Sequence, residues 1–388
     1  MITFIEIMHY MMMPVTATFA FLWVFYPAWA VLIAERIEWD VEDLASPGMN
    51  KDSFESPLLT LVIPAFNEED RIPIMIRETF DYLTSQQGKQ LLRKLQSSIK
   101  PQTTSSLEYE KLEDASLREE SSEQRGAEPK VEWIIVDDGS TDATCDVVRE
   151  TYKKLMGNKS NGVGKSTPSA TNACDWKWKI VSLTKNAGKG GAVKTGMNLA
   201  EGMFHLMVDA DGATDFGNGL ENLTRELRAH TQGILASREG HIGSRKGMAG
   251  SRIAVFGSRA HLERESTAQR SFVRTLLMKA FHFFVSLFVS TKVHDTQCGF
   301  KLFSKKASNA IFKTLHLRRW AFDTEIVLLC DKQCIDIIEV AVRWKEVDGS
   351  KLSTSKLALA LVSISMLRDM ICVRACYTLG FWRVKMGL

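Results

Sequence analysis

Two acidic strand ends constrain this chain more than any other feature. The run W-I-I-V at 133–136 is apolar and β-rich, suited to a buried central strand. It stops on Asp137 and Asp138, and Gly139-Ser140-Thr141-Asp142 then turns into a helix start. A second strand-like run, 204–208, ends in Asp209-Ala210-Asp211-Gly212. In an open α/β sheet, ligands bind beyond the carboxyl ends of the strands. Paired carboxylates there suit a metal, a ribose or a base edge. A lone D-D-G-S or D-x-D also arises as an ordinary solvated turn. Two of them in one αβαβ run point to a site.

Between the two lies Asn186-Ala187-Gly188-Lys189-Gly190-Gly191-Ala192-Val193-Lys194, after a strand at 178–183. Glycines and lysines opening a helix suit phosphate, which backbone N–H groups and the helix dipole attract; close backbone packing is the alternative reason for the glycines. Asp209-x-Asp211 has the form of a site for Mg²⁺ or Mn²⁺, ions that keep positions open for substrate phosphates. Gly164-Lys165-Ser166 is not the end of a phosphate-binding loop. Its required first glycine falls on Lys159, and no strand leads in.

The remaining chain divides by composition. Residues 11–34 carry no charge and are long enough to cross a bilayer core of roughly 30 Å, which predicts an N-terminal transmembrane anchor over 1–35. Lys and Arg are absent before it, while Arg36 and Lys51 follow, placing the body on the cytoplasmic side. An acidic linker occupies 36–57. The main domain spans 58–355, with a first strand at 58–64 and helix character at 71–83. Its two solvated insertions cover about 84–130 and 157–172. The stretch 270–291 carries Thr275, Lys279, His282, Ser286 and Ser290 at helical steps on a Phe/Leu/Val background, as an in-plane interfacial helix does. Residues 356–388 are apolar but broken by Arg368, Asp369 and Arg374, which predicts two shorter helices at a membrane surface. With 388 residues and 45% hydrophobic content the chain can bury a full core. The net charge of +3 lacks the concentrated basic face of a nucleic-acid binder. Seven cysteines without a C-x-x-C read as reduced thiols.

Taken jointly, V-I-P-A-F-N-E-E (62–69), V-D-D-G-S-T-D (136–142), N-A-G-K-G-G-A-V (186–193) and D-A-D-G (209–212) resemble the motifs of the family-2, GT-A-fold glycosyltransferases in order. D-T-Q-C-G-F-K (295–301), R-W-A-F-D-T-E (319–325) and D-G-S-K-L (348–352) resemble its polyprenyl-phosphate branch. The resemblance covers about 57–357 without the insertions. It implies an α/β fold, a Rossmann-like mixed sheet with flanking helices. It also implies inverting transfer of glucose from UDP-glucose to dolichyl phosphate at the endoplasmic-reticulum membrane, with the catalytic domain facing the cytosol. The product supplies glucose for lipid-linked oligosaccharide assembly in N-glycosylation. GDP-mannose as donor, or an inactive nucleotide-sugar-binding scaffold tethered to membrane lipid, are the rival readings.

Carried over by position, Pro64, Ala65, Asn67, Glu68, Asp137 and Asp138 hold the uridine. Lys189 lies near the donor, and Asp209 and Asp211 serve ribose and metal. Asp215 or water stands as the further metal ligand. Arg259, Arg270 and Arg274 fall where that family grips the lipid phosphate, solvated helix arginines being the alternative; Lys351, in Gly349-Ser350-Lys351, closes over phosphates as part of a mobile loop or lies in a solvated turn. Asp295 orients or deprotonates the acceptor, with Asp323 and Glu325 competing for that role.

Overall fold

The computed structural model describes residues 4–44, 56–98, 128–157, 176–238, 251–260, 284–287, 293–347 and 356–384. At its centre lie two strands, β2 (Leu59–Ala65) and β3 (Val131–Asp137), every residue of which is buried. They pair in parallel from Leu59↔Val131 to Ala65↔Asp137, so their carboxyl ends finish level. A parallel strand covered on both faces requires such continuous apolar runs. The parallel block continues through β4 (Lys177–Leu183) on one side and β5 (Phe204–Val208) on the other. Among the described residues the sheet has eight strands in the order β1-β4-β3-β2-β5-β7-β6-β8. Here β1 is Trp39–Asp43, β6 Ile253–Ser258, β7 Phe300–Ser304 and β8 Asp336–Ala341. Strand β7 runs antiparallel to both β5 and β6, and β8 is parallel to β6.

Side-chain alternation along the strands divides the apolar residues between two cores. One face buries Leu61, Ile63, Trp133, Ile135 and Trp178 under α2 (Ile72–Thr84), α3 (Gln86–Ser97), α4 (Thr144–Gly157) and α6 (Phe216–Arg238). Trp133 and Trp178 stack there with centroids 4.1 Å apart. The other buries Val62, Ile134, Val136 and Val181 under α5 (Lys189–Leu199), α7 (Lys305–Phe312), α8 (Phe322–Lys332) and α9 (Lys356–Thr378).

Four expectations are corrected. The acidic linker contains β1, whose five residues are all exposed. It adds to the sheet edge by backbone pairing with β4 and by the Glu42–Arg149 ion pair at 2.8 Å, so its charges disguised it as a solvated stretch. The first insertion begins with α3, capped by Ser85 Oγ accepting from Gly88 N, with Leu91, Leu92 and Leu95 buried. Residues 356–378 form one helix rather than two. Its Arg368 pairs with Asp369 at 2.8 Å and lies over the rings of Trp23 and Tyr26, and Arg374 is exposed, so the charges do not break the helix.

The fourth concerns the anchor. Helix α1 runs Phe4–Ile33, but among the described residues no helix is long and apolar enough to cross a membrane. From residue 18 onward, α1 sets Phe25, Ala28 and Val31 against the core shared with α9. It leaves Phe19, Trp23, Tyr26 and Trp29 exposed. Of the interfacial helix expected at 270–291, only 284–287 lies within the described residues. That piece is helical, with Val285 buried and Leu287 exposed. The second insertion lies outside them apart from its first residue, Gly157.

A buried polar knot holds the amino-terminal ends of the parallel strands. Glu132, with no exposed surface, accepts from Thr60 Oγ1 at 2.7 Å, Glu201 N at 2.8 Å and Lys179 Nζ at 2.9 Å. Removing one member of a buried pair leaves an uncompensated charge, a loss of about 3–5 kcal/mol. Glu132→Ala is therefore expected to lower unfolding free energy by about that much in urea titration. A change near zero would show that the knot is solvated.

Candidate active site

The carboxyl ends of β2 and β3 are stitched together by their own loops. Asp138 N donates to Ala65 O at 2.8 Å. Asn67 takes the left-handed conformation (φ 54°); its N donates to Ser140 Oγ at 2.9 Å and its Oδ1 accepts from Thr141 N at 2.8 Å. Glu68 N donates to Thr144 Oγ1 at 2.8 Å, and its carboxylate takes Arg71 in two-point contact at 2.6 and 2.7 Å. Asp137 Oδ1 accepts from Ser140 N at 3.1 Å. Pro64 and Ala65 close β2 directly beside these groups. The structure thus brings all six of the expected uridine-side residues to one ledge.

Asp138 joins that ledge to α5. Its Oδ1 accepts from Ala187 N at 2.6 Å. Gly188, at φ 83°, makes the turn into the helix, and a Cβ there would lie 2.6 Å from Arg318 O. Backbone conformation and close packing both demand glycine at this position. Lys189 then opens α5 and reaches Asp209, with Nζ 2.6 Å from Oδ1. Burial pulls the Lys189 pKa down, but Asp209, Asp323 and Asp211 together outweigh it and the pKa is raised, so the ammonium stays charged.

Asp323 is buried and accepts from Lys301 Nζ at 2.7 Å. Lys301 has no exposed surface and also donates to Cys298 O at 2.6 Å. Burial raises the Asp323 pKa, opposed by Lys301 and Lys189. Asp209, Asp211, Asp323 and Lys189 therefore form one cluster. Asp295 stands beside it in a different state from the one expected. Arg259 grips both its oxygens, Nε to Oδ2 at 2.8 Å and Nη2 to Oδ1 at 2.9 Å. Burial raises the Asp295 pKa, yet Arg259 prevails and holds it below the usual carboxylate value. An ionised, doubly paired carboxylate is a weak proton acceptor; here it orients Arg259, whose guanidinium also faces the Trp344 ring at 5.5 Å.

Other expectations fall elsewhere. Glu325 is fully buried, and its carboxylate points at His316, Leu317 and Tyr377, away from the cluster. Asp215 caps α6 by accepting from Asn218 N at 3.1 Å, which accounts for its carboxylate without a metal. Arg270, Arg274 and Lys351 lie outside the described residues.

Asp209 and Asp211 suit a hard divalent cation. Asp209 Oδ1 is buried and, despite the nearby ammonium, has no aligned hydrogen-bond donor. Among the described residues, Asp211 Oδ1 accepts only from Ala213 N, at 3.0 Å. Among the described residues no third His, Cys, Asp or Glu completes the set. Mg²⁺ characteristically needs only one or two carboxylates, with water and substrate phosphate filling the rest.

Sequence reasoning overlooked three groups. Lys301 and Gly299 were inside a quoted motif, but nothing in it assigned them a partner. Glu339, on β8, receives Asp295 N at 2.8 Å and His294 N at 2.9 Å; no local signal marked it. Gly299 is the most constrained of these, because a Cβ there would lie 1.9 Å from Asp209 Oδ2. Gly299→Ala is expected to swing Asp209 aside and weaken calorimetric Mn²⁺ binding by about 10- to 100-fold. Unaltered Mn²⁺ affinity would remove Asp209 from the metal site.

Comparison with known proteins bears on what this geometry serves. The family model described as "Glycosyl transferase family 2" matches residues 115–312. A dolichyl-phosphate beta-glucosyltransferase of Dictyostelium discoideum is 33% identical over 87% of this chain and 80% of its own length. The enzyme of that name from Homo sapiens is 33% identical over 84% and 78%. Among solved structures, glucosyl-3-phosphoglycerate synthase of Mycobacterium tuberculosis with UDP aligns over 82% of this chain and 80% of that one. The match has 13% identity and a TM-score of 0.41, too distant to bear on the site. By its family-model match and its identity to these relatives, the chain belongs to glycosyl transferase family 2, in the branch of the dolichyl-phosphate beta-glucosyltransferases.

Proposed function

We propose that this enzyme transfers glucose from UDP-glucose to dolichyl phosphate with inversion, giving dolichyl β-D-glucosyl phosphate and UDP. The observation that carries the reading is the convergence of the β2, β3 and β5 ends with the α5 start. A base-and-ribose ledge there adjoins an acidic, metal-suited pocket that also holds the Lys189 ammonium. The names of the similar enzymes support glucose and dolichyl phosphate as the substrate pair.

In this mechanism the 64–68 and 137–138 ledge seats uridine, and Asp138 offers its second oxygen to the base. Asp209 and Asp211 would hold Mg²⁺ or Mn²⁺, which when bound would supply positive charge to offset that of a departing diphosphate. Lys189 adds a fixed positive charge beside it. An oxygen of the lipid phosphate attacks the anomeric carbon from the face opposite the diphosphate. The bond from that carbon to the diphosphate oxygen breaks, and its electron pair leaves with UDP. The nucleophile is already anionic near neutral pH, so a strong base is unnecessary. Arg259, aimed by Asp295, presents a planar cation for the acceptor phosphate. The exposed aromatic side of α1, with Leu361, Ile364, Leu379 and Phe381 in and beyond α9, is the surface that meets lipid. We place the enzyme on the cytosolic face of the endoplasmic-reticulum membrane.

Two measurements test this. With detergent-purified protein, dolichyl phosphate and Mg²⁺, label is expected in the lipid phase from UDP-glucose and not from GDP-mannose. Asp211→Ala should abolish it. Label from GDP-mannose alone would assign the mannose reaction instead.

The second concerns pH. Burial pushes the Asp138 carboxyl up to about 6, opposed by the Ala187 and Gly188 N–H groups and by Arg319, and reinforced by Asp137. A folded pKa above the ordinary value of about 3.9 means the folded chain keeps a proton the unfolded chain has lost. This group's contribution to stability therefore declines as pH rises from about 4 to about 6. Donor recognition runs the other way, since the ionised form accepts from the base. The donor KM is expected to rise about tenfold from pH 7 to pH 5, the fall in ionised Asp138. Asp138→Asn should flatten that rise; an identical profile in the variant would assign it to another group.

A further inference from the structure

A buried carboxylate outside the reaction centre ties the outer helix pair to the donor-binding turn. Glu325 Oε1 accepts from the Tyr377 hydroxyl at 2.8 Å and lies 3.0 Å from His316 Nδ1. Its Oε2 accepts from His316 N at 3.1 Å and Leu317 N at 2.7 Å. The His316 ring stacks on Trp382, with centroids 4.0 Å apart and planes 5° from parallel. Tyr377 lies in the last turn of α9 and Trp382 follows the helix, so this one side chain fastens the carboxyl-terminal segment to residues 316–317. Burial and the neighbouring carboxylate push the Tyr377 phenol up, which keeps it a donor.

The next two residues face the donor site. Arg318 O accepts from Gly191 N at 3.0 Å and would meet any Cβ on Gly188 at 2.6 Å. The Arg318 guanidinium donates to Glu35 O, just past α1, at 3.2 Å. Arg319 acts electrostatically on Asp138 at the ledge and on Asp369 in α9. Residues 316–319 therefore touch α9 and the residue just past α1 on one side. On the other they touch the 187–191 turn that supplies Asp138 with its donors and aims Lys189.

We infer that Glu325 is a positioning residue that couples the seating of the α1–α9 pair to the shape of the donor-binding turn, acting through residues 316–319. The inference rests on the donor assignment above. A buried carboxylate needs all its donors, because an unpaired one is costly. Loss of Tyr377 or Trp382 contacts therefore loosens residues 316–317, and the turn braced by Arg318 loosens with them. Coupling of this kind is reciprocal: filling the donor site firms the seating of α9.

The test uses the full chain in detergent, with UDP affinity in Mg²⁺ measured by calorimetry beside steady-state transfer. Glu325→Gln is the direct variant; Tyr377→Phe keeps the ring and deletes one donor, so the fold survives. For Tyr377→Phe, UDP affinity and donor KM are both expected to worsen roughly three- to tenfold, a part of the worth of one hydrogen bond to a charged group being passed on to the turn. The kcat and the dolichyl-phosphate KM should stay within about twofold, below the roughly 1 kcal/mol of an ordinary contact. Trp382→Phe, which retains a ring over His316, should rescue the donor defect of Trp382→Ala. Unchanged UDP affinity in both Tyr377→Phe and Trp382→Ala overturns the inference, as does a fall in kcat at constant donor KM. Should the parent chain bind UDP yet move no glucose to lipid, the proposed reaction fails. Weakened UDP binding in the variants would still uphold the coupling.

Discussion

The site depends on cancelling negative charge. Level parallel strands deliver their terminal carboxylates to one edge, where Asp209 and Asp211 meet the buried Asp323. Lys189 at 2.6 Å from Asp209 and Lys301 at 2.7 Å from Asp323 offset this repulsion from two sides. Lys189 comes from a helix start and Lys301 from an antiparallel strand on the other flank of β5. The acidic cluster is therefore stable only once both halves of the sheet have assembled. Gly299 belongs to the same constraint, because the space next to Asp209 has no room for a side chain.

Around that cluster the protein is a set of linked fastenings. The β2 and β3 loops bind each other through Asn67, Ser140 and Thr141, which holds the ledge without a ligand. Glu339 holds Asp295, and Asp295 holds Arg259. Glu325 holds residues 316–317, next to those that pack on the Gly188–Gly191 turn. These carboxylates thus act as holders of cations and backbone. This suits a reaction whose nucleophile arrives charged: geometry and electrostatics matter more than a strong base.

The strands leading to Asp138 and Asp209 were legible because buried parallel strands leave continuous apolar runs, and their acidic ends interrupt those runs sharply. The α5 start was legible from its glycines. Strand β1 was not, since an edge strand can be fully charged and still pair through its backbone. Strands β6 to β8 drew no notice because their pairing joins segments distant in sequence. Asp295 and Glu325 looked like bases because the types and positions of acidic residues do not reveal their partners. Asp215 stood beside water as a candidate for the further metal position because helix capping and coordination favour the same residue type.

The sequence by itself determined the parallel core, the position of the two acidic strand ends and the family of the chain. These follow from local runs and short motifs whose chemistry is carried by adjacent residues. Only the tertiary structure decided which carboxylates remain open and which are engaged. It paired Asp295 with Arg259 across 36 residues of chain and Glu325 with Tyr377 across 52, and it seated α1 on α9 with its aromatic side outward. Those outcomes depend on burial and on which donor arrives within about 3 Å, quantities that no local pattern encodes.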